Sequence, residues 1–386
     1  MAATSYIPRL LENTILEASR YFSVITLTGP RQSGKSTLLT HLFPALPYYS
    51  LEDPDVKEAA LSDPRGFLTE FTSGVILDEI QNAPVLLSYI QGIVDTHKER
   101  RFYLTGSSNF SLLQQVTQSL AGRTAVYELL PLSLSEVAQL DKAISTPELL
   151  YRGFYPAIWS GETIPSMLYP HYVRTYLERD VRNLLNVKDL DMFYRFLRLC
   201  ASRIGSLLNI SEIANDLGVA VNTVKSWLSI LQASYILYLL PPYHTNTKKR
   251  LIKAPKLYFT DCGLASYLLD IDSAAIMRRD NMYGHLFENM VVIEFLKQRL
   301  NAGQQGGLYF YRDSNGNEID LLVKQGSLFD CYEIKSSETF HPTFMKGLKN
   351  FVANYPDTVD RQTVIYNGQT LPSIDGIAIR QLKDLF

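Results

Sequence analysis

The chain has 386 residues, 46% of them hydrophobic and 20% charged. That composition excludes a disordered polymer, and the length exceeds what one hydrophobic core usually serves, so two or three domains are expected. A formal net charge of -2 excludes a globally basic nucleic-acid coat and leaves any DNA contact to a local patch.

Cys200, Cys262 and Cys331 lie far apart, without a CxxC pair. Their spacing argues against structural zinc or a disulfide framework and for a reducing compartment. The opening residues, MAATSYIPRLLENTILEASRYF, lack the pattern of a signal peptide and read as a helix before the first strand. The longest apolar run, near residues 235–243, is too short to span a bilayer and ends in Pro241-Pro242. A cytoplasmic protein without a membrane partner is expected.

Residues 24–28, VITLT, form a β-branched run suited to a buried parallel strand. They lead directly into GPRQSGKS and then TLLTHLF, a helix start. Strand, glycine loop and helix in this order make a P-loop, with Gly29, Pro30, Arg31, Gln32, Ser33, Gly34, Lys35, Ser36 and Thr37 as the nucleotide-binding set. Gly29 and Gly34 let successive amides turn toward phosphates, Lys35 reaches the β- and γ-phosphates, and Ser36 offers a hydroxyl to magnesium. ATP and Mg2+ are the expected ligands.

Residues 74–79, GVILDE, read as a strand ending in two acids. After a P-loop, Asp78 suits magnesium, and Glu79 suits polarisation of the attacking water. An acidic strand cap would look the same without the loop upstream. A third strand, RFYLT, runs into Gly106-Ser107-Ser108-Asn109, where Ser107 is the preferred γ-phosphate sensor and Ser108 and Asn109 its rivals. A plain N-cap for the helix that follows is the competing explanation. Arg123, in Ala121-Gly122-Arg123, is a candidate arginine finger for a neighbouring subunit, or else an ordinary solvated cation. A finger supplied in trans would require a homo-oligomer.

The segments GPRQSGKST, GVILDEIQ, RFYLTGSS, SLAGRTAVYELLPLSLSE and RGFYPAIW together resemble a widespread prokaryotic family of AAA-type ATPases. In that family the ATPase is joined to a C-terminal domain of uncharacterised role. The likeness runs over nearly the whole chain. It departs at Tyr151-Arg152-Gly153, where the family pattern often has paired glycines, which leaves the local turn open.

The fold expected is α/β: an AAA-type P-loop ATPase domain over residues 1–140, a helical connector over 141–190, a winged-helix-like domain over 191–260 and a nuclease-like α/β domain over 261–386. In the connector, Arg179 and Asp180 belong to a charged helix surface within reach of the nucleotide side. Across residues 209–243 a short helix with Ser211 as N-cap, a break at Gly218 and a second helix give a helix-turn-helix pattern. A DNA-reading helix would present Asn222, Thr223 and Lys225, with a basic wing of Lys248, Lys249, Arg250, Lys253 and Lys256 on phosphates. A protein-packing module fits the same pattern, and Trp227 and Leu228 read as core.

In the last domain, Glu288 lies on an amphipathic helix, Asp320 on a strand and Glu333-Ile334-Lys335 on the next strand. Side chains at i and i+2 share a strand face, so Glu333 and Lys335 should converge, with Asp320 and Glu288 completing a magnesium-binding quartet. This constellation resembles the PD-(D/E)xK restriction-endonuclease-like nucleases, to which the C-terminal domain of the ATPase family is similar. A salt-bridged strand face would leave the same pattern. The functional expectation is an ATPase whose hydrolysis acts on DNA through this tail. Its rivals are a nucleotide switch with a non-cutting tail and a small-molecule kinase on the same P-loop.

Overall fold

The computed structural model describes residues 6–107, 116, 119–177, 190–243, 254–314 and 316–386. Ser108, Asn109, Arg179, Asp180, Lys248, Lys249, Arg250 and Lys253 lie outside the described residues.

The N-terminal part opens with α1 (Glu12–Ala18), β1 (Val24–Thr28) and α2 (Lys35–Leu42). It continues through β2 (Tyr48–Ser50), α3 (Pro54–Ser62), α4 (Pro64–Thr69) and β3 (Gly74–Asp78), then α5 (Val85–Thr96), β4 (Arg101–Gly106) and β5 (Thr124–Glu128). The five strands form a parallel sheet in the order β2-β3-β4-β1-β5. Strands β1 and β3 are buried at every position, which is why they read as continuous apolar runs instead of alternating ones. Asp53 and Asp63 cap α3 and α4, each followed by a proline whose missing N–H costs nothing in a first turn.

The middle part is mostly helical: α6 (Leu134–Ala138), α7 (Thr146–Arg152), α8 (Pro156–Trp159), α9 (Pro165–Tyr172), α10 (Leu190–Ala201), α11 (Ile210–Leu217) and α12 (Val221–Ala233). An antiparallel ribbon, β6 (Leu237–Leu240) and β7 (Lys256–Phe259), follows, then α13 (Cys262–Leu268) and α14 (Ala274–Met277). Asn209, not Ser211, caps α11: its backbone is still extended, and its side-chain oxygen accepts from Glu212 N at 3.2 Å. Gly218 ends α11 at φ 68°, as the glycine break implied. Trp227 and Leu228 are core. The single Gly153 makes the turn after α7 at φ 68°, where an added Cβ would come within 2.2 Å of Tyr169 Oη.

The C-terminal part runs α15 (Tyr283–Asn301), β8 (Leu308–Arg312), β9 (Glu318–Gln325), β10 (Leu328–Lys335), α16 (Lys346–Asn354), β11 (Val359–Tyr366), β12 (Leu371–Ile374) and β13 (Ile377–Gln381). The sheet order is β12-β13-β11-β10-β9-β8. Strands β8, β9 and β10 form an antiparallel meander, and β11 lies parallel to β10. Leu321, Val323 and Ile334 join the core containing Phe287 and Val291 of α15, while Leu322 and Cys331 join that containing Leu348 and Phe351 of α16.

The middle and C-terminal parts share a core and a backbone bridge. One apolar core, running from Leu132 to Leu382, contains the middle helices together with α15 and one face of the C-terminal sheet. Beyond β6, Pro242 bridges to Phe310, with Tyr243 N donating to Phe310 O at 2.7 Å and Phe310 N to Pro241 O at 3.1 Å. The exposed edge of β8 is thereby covered.

Candidate functional site

At the C-terminal end of β1 the backbone turns through Gly29 at φ 148° and Gly34 at φ 93°. A Cβ at Gly29 would lie 2.2 Å from Leu129 O, so only glycine fits there. Helix α2 starts immediately afterwards with no side-chain cap. The first turn of a helix leaves its amides outside the helical ladder and pointing out of the N-terminus, and the helix dipole favours negative charge at the same point. Ser33 Oγ is buried without a hydrogen-bond partner, the kind of unmet polar group that a phosphate oxygen satisfies. Lys35 Nζ folds over the loop, donating to Gly29 O at 3.0 Å and Pro30 O at 2.8 Å. Arg31 pairs with Glu52 at 3.4 Å.

Parallel register brings the ends of β3 and β4 beside this loop. Ser36 Oγ donates to Asp78 Oδ2 at 2.8 Å, and Thr105 Oγ1 donates to Asp78 Oδ1. Glu79 sits in the left-handed region at φ 54°, with its N–H on Thr105 Oγ1 at 3.3 Å. Its Oε2 accepts from Ser107 N at 3.2 Å, from Ser107 Oγ at 3.0 Å and from Gln81 Nε2. Ser107 is therefore held against Glu79 through both its backbone N–H and its hydroxyl. A hydroxyl and a carboxylate 2.8 Å apart are hard oxygen donors of the type magnesium takes, so Ser36 and Asp78 fit that ion.

Three contributors were not foreseen. Tyr48 on β2 donates to Asp78 Oδ2 at 2.6 Å, and Thr105 bridges the two acids. Arg9 lies under the loop, donating to Ser33 O and Leu130 O at 2.7 Å each, and it pairs with Glu136 at 3.1 Å. None carries a motif; only the fold brings them in. A cavity of about 320 Å³ opens beside Gln32, Gly34 and Thr37, walled by Tyr6, Ile7, Pro156 and Glu162.

Arg123 is placed at the opposite end of the sheet. Thr124 pairs with Val24, at the start of β1, so Arg123 is roughly 16 Å of strand away from its own P-loop. Asp95 of α5 holds its guanidinium by two bonds, of 2.6 and 2.9 Å.

In the C-terminal part the four expected residues do converge. Lys335 Nζ lies 2.8 Å from Glu333 Oε1 and 3.3 Å from Asp320 Oδ2, and Ile334 N donates to Asp320 Oδ2 at 2.9 Å. Glu288 accepts from Tyr258 Oη at 2.6 Å. Lys256, expected on a solvated wing, corrects that reading: it is buried, and its ammonium pairs with Glu288, Glu318 and Asp320. Among the described residues no three His, Cys, Asp or Glu side chains are grouped to hold a metal ion. The quartet is thus assembled but interleaved with ammonium groups, and it does not fit magnesium as it stands. Lys225 is exposed on α12 beside Asn222.

Burial, then the neighbouring Asp320 charge, raises the Glu333 carboxyl to about 8. Because the folded value lies above the unfolded one, the proton stabilises the fold fully below the ordinary glutamate value. That contribution is lost as pH rises toward 8. Glu333→Gln should therefore gain on the wild type between pH 5 and 8, by at most roughly 1.4 kcal/mol per pH unit, with no further gain above 8. Melting temperatures of both proteins across that range check this; a constant difference between them would refute it.

The parallel sheet and the loop geometry give the N-terminal part an AAA-type, P-loop ATPase-like fold. Residues 21–138 match the family model described as AAA domain. Residues 143–275 and 283–384 match models described as Domain of unknown function (DUF8612) and Domain of unknown function (DUF4143). The chain is 28% identical over 351 residues to an uncharacterized protein of Mycobacterium tuberculosis, covering 90% of this chain and 77% of that protein. It is 23% identical over 384 residues to an uncharacterized protein of Methanocaldococcus jannaschii, covering 90% and 82%. Among solved structures, the Walker-type ATPase of Pyrococcus abyssi aligns with a TM-score of 0.44 and 14% identity, over 69% of this chain and 99% of that one. Among the described residues no helix is long and apolar enough to cross a membrane.

Proposed function

We propose that this chain is a magnesium-dependent ATPase that hydrolyses ATP at the P-loop and passes the resulting movement to its helical and C-terminal parts. One observation carries the reading. Ser36, Asp78, Glu79 and Ser107, from the starts and ends of three separate elements, form a continuous hydrogen-bonded cluster beside the phosphate loop. The loop N–H groups between Gly29 and Thr37, Pro30 having none, and the Lys35 ammonium would hold the phosphates, and Ser36 and Asp78 would hold the magnesium that neutralises their charge. Glu79 orients water, and Ser107 fixes Glu79. The cavity beside Gly34 suits the nucleoside, with Tyr6 and Pro156 as apolar walls and Glu162 as a polar one.

Arg123 cannot serve its own site, so its role in turnover is assigned to a neighbouring subunit of a homo-oligomer. Arg123→Ala should lower phosphate release by at least about tenfold while ATP affinity stays unchanged. Phosphate release without an acceptor, by wild type and variant, tests both claims. Transfer to an acceptor would make the chain a kinase, and unaltered turnover would remove the finger.

For the tail we propose a winged helix formed by α10, α11, α12 and the β6–β7 ribbon, followed by a nuclease-like domain. Its α–βββ–α–β order and its Asp320 and Glu333-x-Lys335 placement support that likeness. DNA is the candidate partner, and stimulation of the ATPase by single-stranded, duplex or branched DNA, within the same assay, would identify it. The buried Lys256 favours the second reading, a tail that binds without cutting.

A further inference from the structure

Lys256 opens β7, at the end of the most basic stretch of the chain, yet only 4% of its side chain is exposed. Its ammonium lies 2.6 Å from Glu318 Oε1, 3.1 Å from Glu288 Oε1 and 3.9 Å from Asp320 Oδ1. It also stands 5.6 Å from the Phe310 ring centre. These partners come from α15, β8 and β9, whereas Lys256 belongs to the ribbon of the middle part. A divalent ion would need Glu288, Asp320 and Glu333 to turn their oxygens toward one point. Instead, one ammonium stands between Glu288 and Asp320, and a second, that of Lys335, stands between Asp320 and Glu333.

We propose that Lys256 is the built-in cation of the C-terminal carboxylate cluster, taking the place a divalent metal would need and fastening the β6–β7 ribbon to the C-terminal sheet. Two physical facts favour lysine over a metal there. The ribbon is anchored independently by the Pro242–Phe310 bridge, which keeps the ammonium at a high effective concentration. A magnesium ion, in contrast, would have to shed tightly held water and expel a desolvated charge that already has three partners. Burial works against the Lys256 charge, but the carboxylates of Glu288, Asp320 and Glu318 outweigh it and hold its pKa above the usual lysine range.

The test is Mn2+ titration of the nucleotide-free full chain, followed by calorimetry. Wild type and Asp320→Asn should bind Mn2+ alike. Lys256→Met should gain a site at least about tenfold tighter than anything in wild type, and adding Asp320→Asn should remove it. A cooperative thermal unfolding transition with wild-type far-ultraviolet circular dichroism shows that the variants are folded. The proposal is overturned if Asp320→Asn alone costs the wild type a Mn2+ site, or if folded Lys256→Met gains none. Should Lys256→Met fail to fold, the comparison of wild type with Asp320→Asn still decides: a lost site refutes it, and identical isotherms support it. ATP retention reports on the P-loop separately, so failure here leaves the ATPase reading untouched.

Discussion

Glu79→Gln is expected to lower ATP turnover by about 10² to 10⁴-fold while the protein still retains ATP. The reasoning is geometric. Glu79 is the only acid of the two that Ser107 holds through both backbone and hydroxyl, and its backbone lies in a left-handed conformation that aims the side chain toward β4. Glutamine keeps the size and the hydrogen bonds but cannot take a proton from water. Lys35→Ala acts one step earlier: it removes the cation above the loop carbonyls and should abolish retention itself. Equilibrium binding of ATP with single-turnover phosphate release separates the two effects. Wild-type turnover in Glu79→Gln would remove the assigned role, and undiminished ATP retention in Lys35→Ala would remove the phosphate loop.

A second large effect is expected beneath the loop. Arg9 and Glu136 have side chains 4% and 0% exposed and pair at 3.1 Å. Glu136 also accepts from Leu10 N and Ser133 N at 2.7 Å each, completing the capping box of α6. Arg9→Met leaves that carboxylate buried and short of its counter-charge, which typically costs about 3–5 kcal/mol. It also frees the Ser33 carbonyl, so ATP affinity should fall with stability. The double variant with Glu136→Gln should recover much of the stability, because the uncompensated charge is gone, but not the affinity. Denaturant unfolding of the single and double variants, with ATP binding alongside, checks this; a single variant less than about 1 kcal/mol below wild type would show the pair to be dispensable.

What the sequence disclosed depended on how local each feature is. The P-loop was legible because phosphate chemistry fixes residue types within eight consecutive positions. The Glu333–Lys335 convergence followed from strand period alone and is found at 2.8 Å. Lys256 was misread for the opposite reason. In a basic run, nothing local distinguishes the lysine that turns inward; that is decided by the meeting of β7 with α15 and β9, far away in sequence. Arg9 and Tyr48 escaped notice likewise, since each gains meaning only when a loop or strand from elsewhere arrives beside it. The Asn209 cap was missed because asparagine and serine two positions apart are both good caps, and sequence alone does not rank them.

The hydroxyl of Tyr235 lies 2.6 Å from that of Thr28, the residue preceding the phosphate loop, and Tyr235 makes the turn between α12 and β6 at φ 57°. Tyr235 packs in a small apolar cluster with Leu130 and Leu300, while the next residue, Ile236, enters the core that extends to Leu382. Close-packed interiors compress little, so a nudge delivered at Thr28 is not absorbed in a slack tether. On the proposed ATPase reading, a shift of Thr28 during turnover would therefore be felt at Tyr235, where the helical part begins its return toward the last sheet.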